Sequence, residues 1–238
     1  MLTPDDASTH QDMLLRAHYK QGCTLTDPLQ TRAFDNNMYN YRKLTPAQKK
    51  RVTADRKTQR HPWHGPPHFT GGPAGTNVYM ISAACFEHKH IMATPRRRSE
   101  FTQALLDGLD AVVKADVRAW VIGPNHYHLL IRVDLAAFAQ WVGRLHNGKA
   151  TQWNREDSTP GRKVWHRFSD RWIRSEGHYF ASINYIHANP IKHGWVKHAD
   201  LWPWSSRPAY LKEVGRDALA RWWEMYPLKD YGQGWDDP

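Results

Sequence analysis

Cysteine is nearly absent from this chain of 238 residues: only Cys23 and Cys85 occur, far apart. Two isolated thiols cannot build a disulfide framework or a thiolate zinc site, whose ligands come in close pairs. No run of 18 apolar residues occurs either, so no membrane-crossing helix is expected. Met1–Asp6 shows no basic stretch leading into an apolar one, so no export leader is expected and the chain reads as cytoplasmic. Acidic residues are in short supply, 23 against 33 Lys and Arg, giving a net charge of +10 and a pI near 9.7. That balance favours phosphate-rich partners without specifying one. Tryptophan is abundant, with 12 residues, all but Trp63 from Trp120 onward. Most are expected to pack, leaving a minority to stack on bases.

The length suits one domain with extensions, or at most two small ones. Residues 1–76 read as a polar extension ending in a Pro/Gly/His-rich arm, His61 to His68 followed by Thr70 to Gly75. A short helix is expected over 46–57 with Thr45 as cap, its basic residues a solvated face. The three histidines of the arm match no standard ligand spacing. From Val78 the pattern becomes globular. Val78–Cys85 suits a central strand, and Ser99 a cap for a helix with Phe101, Leu105, Leu109 and Val112 inward. Val117, Ala119 and Val121 alternate with Arg118, Trp120 and Ile122 in a second strand, which Gly123-Pro124-Asn125 turns into a third. Asp134 can cap the next helix, a fourth strand is expected within 164–173, and a helix within 175–189. Residues 207–238 read as a C-terminal tail.

The third strand holds the first chemical signal, Pro124-Asn125-His126-Tyr127-His128-Leu129-Leu130-Ile131-Arg132. Alternation puts His126 and His128 on one face, at a separation suited to gripping one metal ion. The bare His-x-His pair is weak, since His88 and His90 form another. The second signal lies about 60 residues on, in Tyr185-Ile186-His187-Ala188-Asn189-Pro190. Tyr179, Ile183 and Ile186 make an apolar stripe, and Tyr185 shares a different face with Asn189. Pro190 is expected to end the helix, with Asn189 as its last or capping residue. A tyrosine hydroxyl and a carboxamide oxygen on one face can point together at a metal held by the histidines. The plainer reading is that Tyr185 packs and Asn189 caps.

This succession, followed by Gly194-Trp195-Val196 and Trp202-Pro203-Trp204-Ser205-Ser206, resembles the REP-associated tyrosine transposases, single-tyrosine members of the HUH endonucleases. The resemblance spans 77–206. It implies an α+β fold with a ferredoxin-like antiparallel sheet, packed helices and an added C-terminal helix carrying the tyrosine. The strand and helix pattern agrees with that layout. It further implies Tyr185 as nucleophile, with His126, His128 and Asn189 as ligands of Mg or Mn, whereas ligand preference alone would suggest zinc, copper or nickel. The reaction implied is cleavage and strand transfer on single-stranded or hairpin DNA through a 5′-phosphotyrosine. Tyr127 departs from the expected apolar residue between the histidines, although its ring still suits a core. His187 points about 200° round the helix from Tyr185 and is not assigned as its base.

Candidate DNA contacts are Arg96, Arg97 and Arg98, expected just before the Ser99-capped helix, and Arg167, Arg171 and Arg174, interleaved with Trp165, Phe168 and Trp172. An exposed basic turn and core aromatics are the competing readings. Two other functions stay open: a domesticated, non-catalytic DNA binder of the same fold, and a zinc hydrolase using an acid such as Glu87 as base. The sequence leaves monomer or homodimer undecided.

Overall fold

The structure, a computed structural model, describes residues 75–229 and Tyr231, together with Thr45, Ala47, Gln48, Arg51 and Ala54. The last four are helical. Thr45 Oγ1 accepts from the Gln48 N–H at 3.3 Å, the cap expected there, and the Gln48 carboxamide accepts in return from the Thr45 N–H at 2.8 Å. The His61–His68 arm lies outside the described residues.

The elements run β1 (Thr76–Ala84), α1 (Pro95–Ala111), β2 (Asp116–Ile122), β3 (His126–Asp134), α2 (Leu135–Glu156), β4 (Ser169–Trp172), α3 (Glu176–Lys192) and α4 (Arg207–Met225). All strand pairs are antiparallel and the sheet order is β2-β3-β1-β4, the ferredoxin-like arrangement. The two central strands are apolar on both faces, so both faces must be covered. Tyr79, Ile81, Tyr127, Leu129 and Ile131 join Phe101, Leu105, Phe138 and Val142 of α1 and α2. Met80, Ala119, Val121 and Leu130 face the other way, onto Ile183 and Ile186 of α3, with Leu219 and Trp222 of α4 in the same core. Helix α3 is thus enclosed between sheet and α4. Among the described residues no helix is long and apolar enough to cross a membrane.

Four expectations change. Helix α1 begins at Pro95, not after Ser99: Thr94 caps it by accepting from the Arg97 N–H, and a proline is well suited to the first turn. Arg96–Arg98 therefore sit inside that turn. A register shift at Arg118 moves Val117 to the face of Trp120 and Ile122, away from Ala119 and Val121. Helix α3 continues through Pro190 to Lys192, with His193 as C-cap and Gly194 following at φ +67°. Three residues from the end, proline forfeits a single ladder bond, so Asn189 lies within the helix and is fully buried. Finally, residues 207–225 form α4 and pack on α3 rather than trailing as a tail.

The segment Trp204–Ser206 closes the outer edge of β2. Ile122 N–H donates to Trp204 O at 2.8 Å, and Ser206 N–H to Trp120 O at 2.9 Å. At the end of β2, Gly123 takes the Trp195 ring so closely that a Cβ there would lie 2.1 Å from Cη2.

Candidate active site

Strand β3 and helix α3 meet along one polar seam. His126 and His128 alternate onto the α3 face of the sheet as expected, and both are buried. Their ring centroids are 5.1 Å apart. From α3, Tyr185 brings its ring edge-on to His128 at 5.1 Å, and Asn189, one turn later, brings Oδ1 to 3.1 Å from His126 Nε2. The structure thus assembles all four residues singled out in the sequence, Tyr185 included, which is 2 % exposed.

Two residues not singled out orient the imidazoles. Asn125 Nδ2 donates to His88 O at 2.9 Å, which turns its Oδ1 to His126 Nδ1 at 2.8 Å. That contact needs a proton on Nδ1, so in the neutral ring Nε2 carries a lone pair, facing Asn189 Oδ1. Ser82, directly across the ladder from His128, places Oγ 2.7 Å from His128 Nδ1. A further ligand of either ring would meet Nε2. Serine in a central strand is the sequence signal for this role, and it is a faint one.

Between the histidines, Tyr127 points to the opposite core, where its hydroxyl bonds His146 Nε2 at 3.0 Å and His146 stacks on Trp165 at 4.2 Å. Burial raises the Tyr127 pKa and pushes His146 down to about 3, so this imidazole stays neutral. His187 is likewise pushed down to about 3, by burial and then by Arg207, and bonds Ser206 Oγ at 2.9 Å. It serves the β2 edge, not Tyr185. Beyond His126 lie His193 at 4.8 Å and Trp195 at 5.4 Å between ring centroids. Beside Tyr185 lie Tyr231 at 5.9 Å and the Lys192 ammonium at 5.4 Å from the ring centroid. Tyr231 Oη bonds Ser182 Oγ at 2.6 Å.

The arginines divide. Arg97 is tied to Glu156 at 2.9 Å and Asp157 at 2.6 Å, and Arg96 to Glu100 and Glu156 at 3.2 and 3.3 Å. Arg98 is buried, donates to Met92 O and Ala93 O, and lies 4.1 Å over Trp204. Arg97 and Arg98 are thus tied into the fold, and the three arginines expected ahead of a Ser99 cap lie inside the first turn of α1. Arg167 and Arg174 are exposed, whereas Arg171 is half-buried on β4.

Among the described residues no three His, Cys, Asp or Glu side chains cluster where they could hold a metal ion, and the group that faces His126 Nε2 is the Asn189 carboxamide. Glu87, the acid considered as a base, is half-exposed and paired with Lys89 at 3.1 Å.

Fold and seam define a class: a ferredoxin-like α+β protein whose His-x-His strand faces a tyrosine-bearing helix. No protein-family model matches the chain. It is similar to the REP-associated tyrosine transposase of Escherichia coli (strain K12), 30 % identical over 122 residues, 48 % of this chain and 61 % of the relative's length. Among solved structures it matches that of a REP-associated tyrosine transposase bound to a REP hairpin, at TM-score 0.51 and 18 % identity, covering 63 % of this chain and 89 % of the other. The first similarity bears out the resemblance read from the motifs. The second bears out the fold.

Proposed function

We propose that this chain is a metal-dependent, transposase-like endonuclease and strand transferase acting on single-stranded or hairpin DNA, with Tyr185 as nucleophile. One observation carries the reading: His126, His128, Asn189 and Tyr185, from two elements 60 residues apart, converge in a buried seam. The similarity to a protein named as a transposase, and to a structure titled as hairpin-bound, supports the substrate class.

The donor set fits a small divalent cation. His126 Nε2 and Asn189 Oδ1, each with a lone pair, stand 3.1 Å apart. Two ligands about 2.1 Å from one ion at a right angle lie about 3 Å apart. His126, His128 and Asn189 would hold Mg or Mn, all three neutral, so the ion's charge is not cancelled. Bound there, the ion would polarise the phosphate and offset charge that develops during displacement.

The chain's own part follows. The Tyr185 oxygen forms the new bond to phosphorus as the bond from phosphorus to the 3′-oxygen breaks. The phenol proton is lost and the departing oxygen gains one. The products are a 5′-phosphotyrosine and a free 3′-hydroxyl, and the retained ester permits strand transfer. Burial excludes water that would hydrolyse it. Exposed Arg167 and Arg174, half-buried Arg171 and, in the first turn of α1, exposed Arg96 supply the phosphate-facing charge.

Labelled stem-loop DNA from around the gene, incubated with the protein and Mn, is expected to give a covalent adduct on denaturing gels. Tyr185→Phe abolishes it and leaves DNA affinity within about threefold, because only the attacking oxygen is removed. His126→Ala also abolishes it. Undiminished adduct in Tyr185→Phe assigns the attack elsewhere. DNA binding with no adduct from the parent protein leaves the non-catalytic binder.

A further inference from the structure

Helix α3 carries a polar stripe on the side that meets the histidines: His178, Ser182, Tyr185, Asn189 and Lys192, at steps of four and three. Ser182, Tyr185 and Asn189 are buried, and the stripe opens to solvent at Lys192. Helical side chains lean toward the N-terminus, so Lys192, two turns after Tyr185, reaches back along the stripe. Its ammonium stands 5.4 Å from the Tyr185 ring centroid.

A second cation approaches from the sheet. Arg171 pairs in register with Met80, whose side chain lies on the α3 face. Alternation therefore turns Arg171 toward α3 and sends its neighbours Asp170 and Trp172 to the other face. Its guanidinium lies 5.9 Å over the Tyr231 ring, which itself neighbours Tyr185. Burial lowers the Arg171 pKa, and Tyr231 and Tyr185 act against that fall, which places Tyr185 within its electrostatic reach. His178, at the head of the stripe, is lowered by burial and then by Arg171 and Arg174. Positive charge thus gathers at the tyrosine end of the seam from two elements.

We infer that Lys192 and Arg171 form a two-cation clamp that seats one backbone phosphate of single-stranded DNA against Tyr185, Lys192 from the end of the helix and Arg171 from the edge strand. This rests on the proposed nucleic-acid function and deepens it, adding Lys192 as a phosphate-binding residue and giving Arg171 a particular task. The chemistry is that of a phosphodiester: one delocalised negative charge with two free oxygens, met by a point charge on one side and a planar fork on the other.

The test is built so that binding and chemistry separate. In the Tyr185→Phe background, where no covalent trapping occurs, affinity for a fluorescein-labelled single-stranded oligonucleotide with a stem-loop is measured from 50 to 300 mM salt. A protein that neutralises one phosphate fewer on single-stranded DNA has a log–log slope flatter by about 0.7. Lys192→Ala and Arg171→Ala are each expected to show that change, and Lys192→Arg to restore the parent slope. With Tyr185 present and Mn added, Lys192→Ala is expected to slow adduct formation at saturating DNA by about 100-fold, as removal of one charge-stabilising donor does. Unchanged slopes in both alanine variants overturn the clamp, as does a parent protein that binds no DNA. Flattened slopes with no adduct from the wild type uphold the clamp and overturn the tyrosine chemistry. Lys192 is exposed, so its variants keep the fold, and unchanged thermal melts verify this.

Discussion

Single residues at the seam act through the hydrogen bonds that orient them. Asn125 is the clearest case, since it couples the His88 carbonyl to His126 Nδ1. Asn125→Ala frees the ring to rotate and to change tautomer, and is expected to weaken Mn binding by about 10- to 100-fold, read by calorimetry without DNA. His146 offers a test by pH. The unfolded imidazole titrates near 6.5, whereas burial holds the folded one at about 3. Above 6.5 both forms are neutral and the contribution is complete. Below it the unfolded chain takes up a proton that the folded chain refuses, and stability falls by about 1.4 kcal/mol per pH unit. His146→Gln keeps a hydrogen-bonding partner for Tyr127 and removes this titration. Urea unfolding at pH 7.5 and pH 5 is expected to show the variant losing about 2 kcal/mol less than the parent across that range.

At the scale of elements, ion pairs and caps decide which charges face outward. The first turn of α1 and the end of α2 are joined by Arg97, whose guanidinium reaches Glu156, Asp157 and the Ile91 carbonyl. Arg97 and then Arg162 hold Asp157 down at about 2. Arg97→Ala is therefore expected to lower stability by about 2 kcal/mol, a Tm loss of about 6 °C by calorimetry at pH 7. Its effect on the salt slope of DNA binding should be nil. Helix α3 shows the converse, a polar stripe buried because the sheet face opposite it is polar too. Pro190 lies so near the end of α3 that the helix runs through it, and Asn189 stays helical one turn from Tyr185.

For the whole molecule, the consequence of the second core is that α4 cannot be a dispensable extension. Leu219 and Trp222 are buried against α3, Tyr226 stacks on Phe180 at 4.7 Å, and Asn184 Nδ2 donates to Trp222 O and Tyr226 O at 3.0 and 2.9 Å. Ending the chain at Ser206 would bare Phe180 and leave the buried Asn184 amide without these acceptors. Truncation is expected to abolish the cooperative thermal transition by circular dichroism, since it strips one wall from the second core and a domain's net stability is small. A truncated chain that still melts cooperatively near the parent Tm would make α4 an independent layer.

Much of this protein is written locally. Alternation placed His126 and His128 on one strand face, a four-residue step placed Asn189 beside Tyr185, and Asp134 and Ser175 mark helix starts that the structure keeps. These features depend on neighbours in the chain, where periodicity and capping act. Other features were settled only by packing. The bulge at Arg118, the run of α3 through Pro190 and the docking of α4 each depend on residues far along the chain, whose packing overrules local preference. Three arginines in a row look alike in sequence. Their fates, one exposed at the rim of an ion-pair network, one inside that network and one buried over Trp204, depend on where Glu156 and Trp204 arrive. Ser82, Asn125 and Lys192 join the seam for the same reason: what orients a histidine or reaches the Tyr185 ring is a distance in space, and the fold alone supplies it.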